Sequence, residues 1–211
     1  MIKNTLLTIL VALPLNIVAV TLAGFAIGRM VVGKGRMQSA FLKYFIAGII
    51  LPSYVMLFPI YMISVKTGTY DTLWGVILPS IASGASLGVM LLSTAFKGIP
   101  RELDEAALID GCGFYRMLLH ILIPVVRPAI ATVAIINFLG IWNNFALARV
   151  LLNREDVRVI SLAAMYFKGE YSTDYALTMA GTMVLIIPQI IVFLFFQQYI
   201  VDGITSGAVK G

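Results

Sequence analysis

Five long apolar runs alternate with shorter polar connections along the chain, at about residues 5–28, 41–64, 73–96, 121–147 and 176–200. At about 1.5 Å per residue, each is long enough to cross a hydrocarbon core of about 30 Å as a helix. Backbone groups in lipid need internal partners, and these runs far exceed the roughly 10-residue alternating segments of an outer-membrane barrel. The pattern predicts an all-α, polytopic membrane helix bundle with about five transmembrane helices in one domain, 1–211. The first run follows Lys3 as a secretory leader would, but it is span-length and no small-x-small cleavage site precedes Gly28, so it counts as a span.

The long polar interruption between the third and fourth runs, 98–124, has the signals of a helix-turn-helix at a membrane surface. Pro100 suits a first helical position, and Glu102, Asp104 and Glu105 put negative charge near the N-terminus. Gly111 is a C-terminal stop, so a short helix is expected to end near Asp110. A second helix then restarts near Phe114, with Gly111-Cys112-Gly113 as the bend.

Composition fixes the solvent: 60% of the 211 residues are hydrophobic and 12% charged, about half the charged share of a water-soluble domain. The distribution of Lys and Arg sets an orientation. Arg29, Lys34, Arg36 and Lys43 follow the first run without an acidic residue, whereas the next connection holds only Lys66 and Asp71. The first connection, the 98–120 segment and the C-terminus are therefore expected in the cytoplasm, and the 149–175 connection outside. The net charge of +5 is mostly this bias and calls for no nucleic acid. With five spans, the N-terminus then starts outside, as though a preceding helix were missing.

Enzymatic chemistry finds little support. The stretch from Gly28 through Gly33-Lys34-Gly35 nearly spells a phosphate-binding loop, but Gly35 stands where a metal-binding Ser or Thr is needed and no strand precedes it. His120 is the only histidine and Cys112 the only cysteine, leaving no material for a Ser–His pair, a metal cluster or an internal disulfide. Polar side chains within the spans are costly and point to protein or water contacts. Asn137, Trp142, Asn143 and Asn144 form a candidate substrate pathway, in which amides suit a hydroxyl-rich solute and the indole could stack on a sugar face. Interhelical hydrogen bonding is the alternative fate of these amides. Gly24/Gly28 and Gly84/Gly88 have the small-xxx-small spacing of close helix crossings, and Pro14, Pro52, Pro59, Pro79 and Pro188 mark sites where spans can bend.

The 98–124 segment resembles the cytoplasmic loop of inner-membrane permease subunits of binding-protein-dependent ABC importers. That loop carries Glu-Ala-Ala, three residues, Gly, nine residues and Ile-x-Leu-Pro; here Glu105-Ala106-Ala107, Gly111 and Ile121-Leu122-Ile123-Pro124 match it, with Ile123 in place of Leu. Asp110-Gly111, Arg127-Pro128-Ala129, Trp142-Asn143-Asn144-Phe145, Gly169-Glu170-Tyr171 and the tail Gly207-Ala208-Val209-Lys210-Gly211 are similar to the carbohydrate-importing branch, in particular to the smaller permease of the maltose and glycerol-phosphate type. Asn144 departs from that branch, where an acidic residue is common, and the usual sixth span, the first, is wanting.

The resemblance implies the type I ABC importer permease fold in a bacterial inner membrane. It implies that 98–120 couples to a cytoplasmic ATPase through Glu105, Ala106, Ala107, Asp110, Gly111 and Pro124. A homologous permease, two ATPase subunits carrying ATP and Mg, and an extracytoplasmic substrate-binding protein are the partners implied, with a sugar as cargo and no cofactor in this chain. The resemblance also implies a landing surface for the binding protein at 149–175, with an aromatic-anchored interfacial helix as the alternative. A glycerol phosphate ester is the neighbouring cargo class. A secondary transporter, the competing class, ordinarily needs charged mid-bilayer groups or an internal repeat, and neither is evident.

Overall fold

The computed structural model describes residues 1–30, 36–167 and 175–208, and every regular element among them is helical. The first and last runs form α1 (Ile2–Arg29) and α11 (Tyr175–Ala208), which continue through Pro14 and Pro188. The middle three runs are each broken. Among the described residues, three helical stretches, Ile2–Arg29, Leu73–Gly98 (the two helices of the third run together) and Tyr175–Gln197, are long and apolar enough to cross a membrane, or five when each of two bent pairs is taken as one span.

Each break has a local cause. The second run divides into α2 (Arg36–Ile50) and α3 (Ser53–Thr67) at Pro52, which lacks an N–H and disfavours a helical conformation at Leu51. The third divides into α4 (Leu73–Ala82) and α5 (Ala85–Gly98) around Gly84, whose φ of 70° is left-handed. Pro59 and Pro79, by contrast, sit inside continuous helices.

The 98–124 segment supplies α6 (Glu102–Ile109) and α7 (Phe114–Met117), then a π-helical stretch (Leu118–Leu122) and α8 (Ile123–Val125). Pro124 comes just after the π stretch, a widened turn that accommodates a residue unable to donate to the helix ladder. The chain then bends by 73° at Val126, between Pro124 and Pro128, into α9 (Arg127–Trp142). α10 (Phe145–Leu151) and two 3-10 turns (Glu155–Val157 and Ile160–Phe167) complete the described elements.

The chain divides into two compact units, each drawn from three separate stretches. The first comprises 1–16, 50–84 and 135–195. Its apolar clusters centre on Val76, Leu147, Leu151 and Leu162, and on Ile9, Ile77, Ile141 and Trp142. A buried polar clamp also lies in this unit. The Asn16 amide donates to the carbonyls of Ile81 (2.7 Å) and Ser83 (2.9 Å), where α4 ends, and its oxygen accepts from Asn137 Nδ2 at 2.6 Å. A β-carbon at Gly84 would collide with the Asn137 side chain, so glycine is required there for space as well as for its φ.

The second unit comprises 17–49, 85–134 and 196–211. Its core is formed by Val20, Phe25, Leu92, Phe96, Leu122 and Val133. Here Gly24 and Gly28 of α1 face α5: a β-carbon at Gly24 would lie 2.7 Å from Leu92 Cβ, and one at Gly28 2.6 Å from the Ser93 carbonyl oxygen. The spacing read from the sequence thus marks a true close crossing.

Leu177, Met183, Ile187, Leu194 and Phe195 of α11 are all exposed. A helix apolar on all sides requires lipid or protein around it, as expected of a membrane span.

Gly28→Leu is expected to force α1 and α5 apart at a cost of about 1–3 kcal/mol, read as a lowered melting temperature in detergent. Asn16→Leu strands two helix-end carbonyls and the Asn137 amide, each worth about 1–3 kcal/mol when left unpaired. Its melting temperature should fall clearly further than that of a lipid-facing control such as Leu15→Ala.

Candidate functional site

The α6 helix has two unlike faces. Asp104 and Ala107, three residues apart, turn toward the second unit, with Ala107 buried. Glu105, Leu108 and Ile109, at i, i+3 and i+4, turn outward, and Leu108 and Ile109 are 65% and 86% exposed. Ala106 is also exposed. Across the turn, Tyr115 is 77% exposed. Large apolar side chains thus stand clear of the protein on its most polar segment, beside a carboxylate.

The turn that presents them is a complete left-handed helix stop. Gly111 has φ 71°; its N–H donates to Leu108 O at 3.0 Å, and Cys112 N–H donates to Ala107 O at 2.8 Å. This is the paired bond pattern of a Schellman motif, with Gly111 at the left-handed position. Nothing lies within 4 Å of where its β-carbon would be, so backbone conformation alone dictates glycine there. Asp110 is the C-cap, its N–H bonded to Ala106 O.

The segment is held to its unit by Arg29, the last residue of α1. Its guanidinium Nη1 donates to Ile99 O at 2.6 Å and to Phe96 O at 3.4 Å, and Nη2 donates to Pro100 O at 2.9 Å and to Asp104 Oδ1 at 2.8 Å. These carbonyls are among those left without helical partners where α5 ends. The Arg29 side chain is only 4% exposed. Arg101 donates back to Arg29 O at 3.2 Å, closing the clasp from the other side. Above it, the Phe25 ring meets Phe96 edge-on and Phe114 at a tilt, with centroids 5.5 and 5.7 Å apart.

The four pathway residues read from the sequence occupy four different settings, all within the first unit. Asn137 is buried in the clamp with Asn16. Trp142 is buried, its indole N–H donating to Leu185 O at 3.1 Å. Asn144 is the N-cap of α10, its side-chain oxygen accepting from Leu147 N at 3.3 Å. An aspartate would cap equally well there. Asn143 is exposed and exchanges two amide hydrogen bonds with Gln189 of α11, at 2.7 and 3.0 Å. Asn16 is a polar partner that sequence reasoning misses; its signal is the cost of an amide inside an apolar run.

On the 149–175 connection, Asp71 organises the chain. Its backbone φ is +56°, its N–H donates to Leu151 O, and its carboxylate accepts from Asn153 N (2.6 Å) and Arg154 N (2.9 Å). Asn4 donates to the carbonyls of Asp156 and Arg158, tying the loop to α1. A cleft of about 250 Å³ is lined by Arg149, Leu152, Asn153, Arg158, Leu162 and Met165. Asp156 accepts a hydrogen bond from Arg154, which holds its carboxyl below the usual range and raises the guanidinium in return. The glycine-rich turn with Lys34, the Gly169-Glu170-Tyr171 motif and residues 209–211 of the tail lie outside the described residues. Among the described residues no group of His, Cys, Asp and Glu is arranged to hold a metal.

Comparison with known proteins agrees with this architecture. The chain is 34% identical over 209 residues to a putative ABC transporter permease protein of Caldicellulosiruptor sp. (strain Rt8B.4), covering 99% of this chain and 75% of that one. It is 32% identical over 161 residues to the arabinooligosaccharides transport system permease protein AraQ of Bacillus subtilis (strain 168), covering 76% of this chain and 57% of the relative. To the melibiose/raffinose/stachyose import permease protein MelC of the same organism it is 31% identical over 192 residues, covering 90% and 68%. The chain spans 50–75% of the length of the first three relatives matched.

Among solved structures, a bacterial ABC transporter involved in import of the acidic polysaccharide alginate superposes with a TM-score of 0.75 at 19% identity, covering 93% of this chain and 73% of that one. The MetNI methionine ABC transporter in inward-facing conformations gives 0.74 at 16%, covering 95% and 93%. These likenesses establish the shared fold of type I ABC importer permeases. The family described as binding-protein-dependent transport system inner membrane component matches residues 20–206, and the chain belongs to that family of transport permeases.

Proposed function

We propose that the chain is the membrane-spanning permease subunit of an ATP-driven importer, passing a sugar into the cytoplasm by alternating access. The 98–120 segment is its coupling element. The observation that carries this reading is the outward face of α6. Leu108, Ile109 and Tyr115 are exposed on a segment too polar to lie in lipid, Glu105 stands beside them, and Gly111 fixes the angle at which they are presented. Exposed apolar groups next to a carboxylate suit a protein cleft with a basic rim. In this reading, the partners are two cytoplasmic ATPases carrying ATP and Mg, a homologous permease and an extracytoplasmic binding protein. The C-terminus lies in the cytoplasm, on the side of the Lys- and Arg-rich connections.

A saccharide cargo is favoured by the relatives, whose names specify arabinooligosaccharides, melibiose, raffinose and stachyose. The exposed amide pair of Asn143 and Gln189 offers donors and acceptors without charge, which suits hydroxyl groups. The 149–175 connection, pinned by Asp71 and Asn4 and bearing Arg149 beside an open cleft, is the proposed landing surface for the binding protein.

Co-purification of the ATPase with the permease, expressed together with its genomic neighbours, tests the reading. Gly111→Pro removes both the left-handed φ and the N–H that bonds Leu108 O, so it should abolish ATPase capture while the spans still insert. Glu105→Lys removes a charge-assisted bond worth about 1.5–3 kcal/mol and should weaken capture by about ten- to a hundredfold. Undiminished capture by both variants would contradict the assignment of this segment.

A further inference from the structure

We propose that Arg29 is the positioning residue that makes α6, the end of α5 and the end of α1 move as one piece, so that a displacement of the docking helix is delivered to α1. The inference rests on the coupling role proposed for 98–120 and adds the element that transmits the motion. Four acceptors converge on one guanidinium: the carbonyls of Phe96, Ile99 and Pro100 and the Asp104 carboxylate. A planar fork with several donors can serve helix-end carbonyls and a carboxylate together, whereas the compact ammonium of lysine cannot span the same set.

The placement separates holding from docking. Asp104 and Ala107 face inward and are held, while Glu105, Leu108 and Ile109 face outward and remain free for a partner. The second limb of the helix-turn-helix is tied to the same end of α1, through Phe25 against Phe114. Both limbs therefore bear on the last turns of α1, and Gly24 and Gly28 bring those turns into contact with the α5 backbone. The charged groups facing Arg29 are Asp104 and Arg101, with Arg101 4.0 Å from the other Asp104 oxygen. A push on α6 thus reaches α1 through short, directional bonds.

The test uses the complete complex with its ATPase, in a Cys112→Ser background, with a spin label at Leu22→Cys, an exposed position of α1. Mg-ATP with vanadate is the probe. In the otherwise wild-type chain, the label spectrum should change on adding the probe. In Arg29→Met, with ATPase capture and ATP hydrolysis measured alongside the label, the spectral change per bound ATPase should fall by more than half. Arg29→Lys should recover part of it, since it restores the charge opposite Asp104 but not the fork. Asp104→Asn, which keeps an acceptor oxygen on Arg29, serves as the second variant if Arg29→Met fails to insert, and it should also diminish the response. A label response per bound ATPase that is undiminished in Arg29→Met or Asp104→Asn would overturn the role of Arg29. So would a silent label in the wild-type complex with ATPase bound. Absence of the ATPase from the wild-type preparation would instead overturn the coupling reading itself.

Discussion

A helix end buried within protein leaves carbonyls that water cannot reach, and in this chain side-chain donors answer two such ends. Asn16 covers the carbonyls of Ile81 and Ser83 where α4 stops, and Arg29 covers those of Phe96, Ile99 and Pro100 where α5 stops. Each unsatisfied group of this kind costs about 1–3 kcal/mol, and at the α4 end, inside an apolar run, hydrocarbon offers no substitute partner. Two of the helix ends are therefore stabilised by particular polar residues that stand beside them. The same donors also hold neighbouring structure: Asn137 in the first unit and α6 in the second.

This arrangement divides the buried polar residues by task. Trp142 and Asn144 serve backbone groups of α11 and α10, and Asn137 serves Asn16, so their polar atoms are engaged in holding helices. Asn143, exposed, and Gln189, half-buried, engage each other. Chemically similar amides thus meet different partners, backbone for Asn144 and side chain for Asn137 and Asn143.

Much of the architecture is legible in the sequence. The five runs stand out because hydropathy averages over many residues, and the helix ending before Gly111 stands out because a left-handed stop all but requires glycine. Pro52 and Pro124 carry their own warnings. The breaks at Gly84 and at Asn143 and Asn144 are harder to see, because an apolar run reads the same whether its helix is continuous or interrupted. Arg29 is hidden by its own signal: at the end of a span it counts as one more cytoplasmic charge, and only coordinates reveal that it is buried on three carbonyls and a carboxylate. Asn16 lies 121 residues from Asn137, a separation across which no local pattern operates.

The most direct measurement is a double-mutant cycle between Arg29 and Asp104, using Arg29→Met, Asp104→Leu and the pair, with unfolding in detergent as the readout. If buried donors at the helix ends secure the docking segment, the coupling energy should be about 1.5–3 kcal/mol, the range of hydrogen bonds to charged groups. Additivity of the two substitutions to within about 0.5 kcal/mol would contradict the account, because the Arg29–Asp104 pair would then not hold α6.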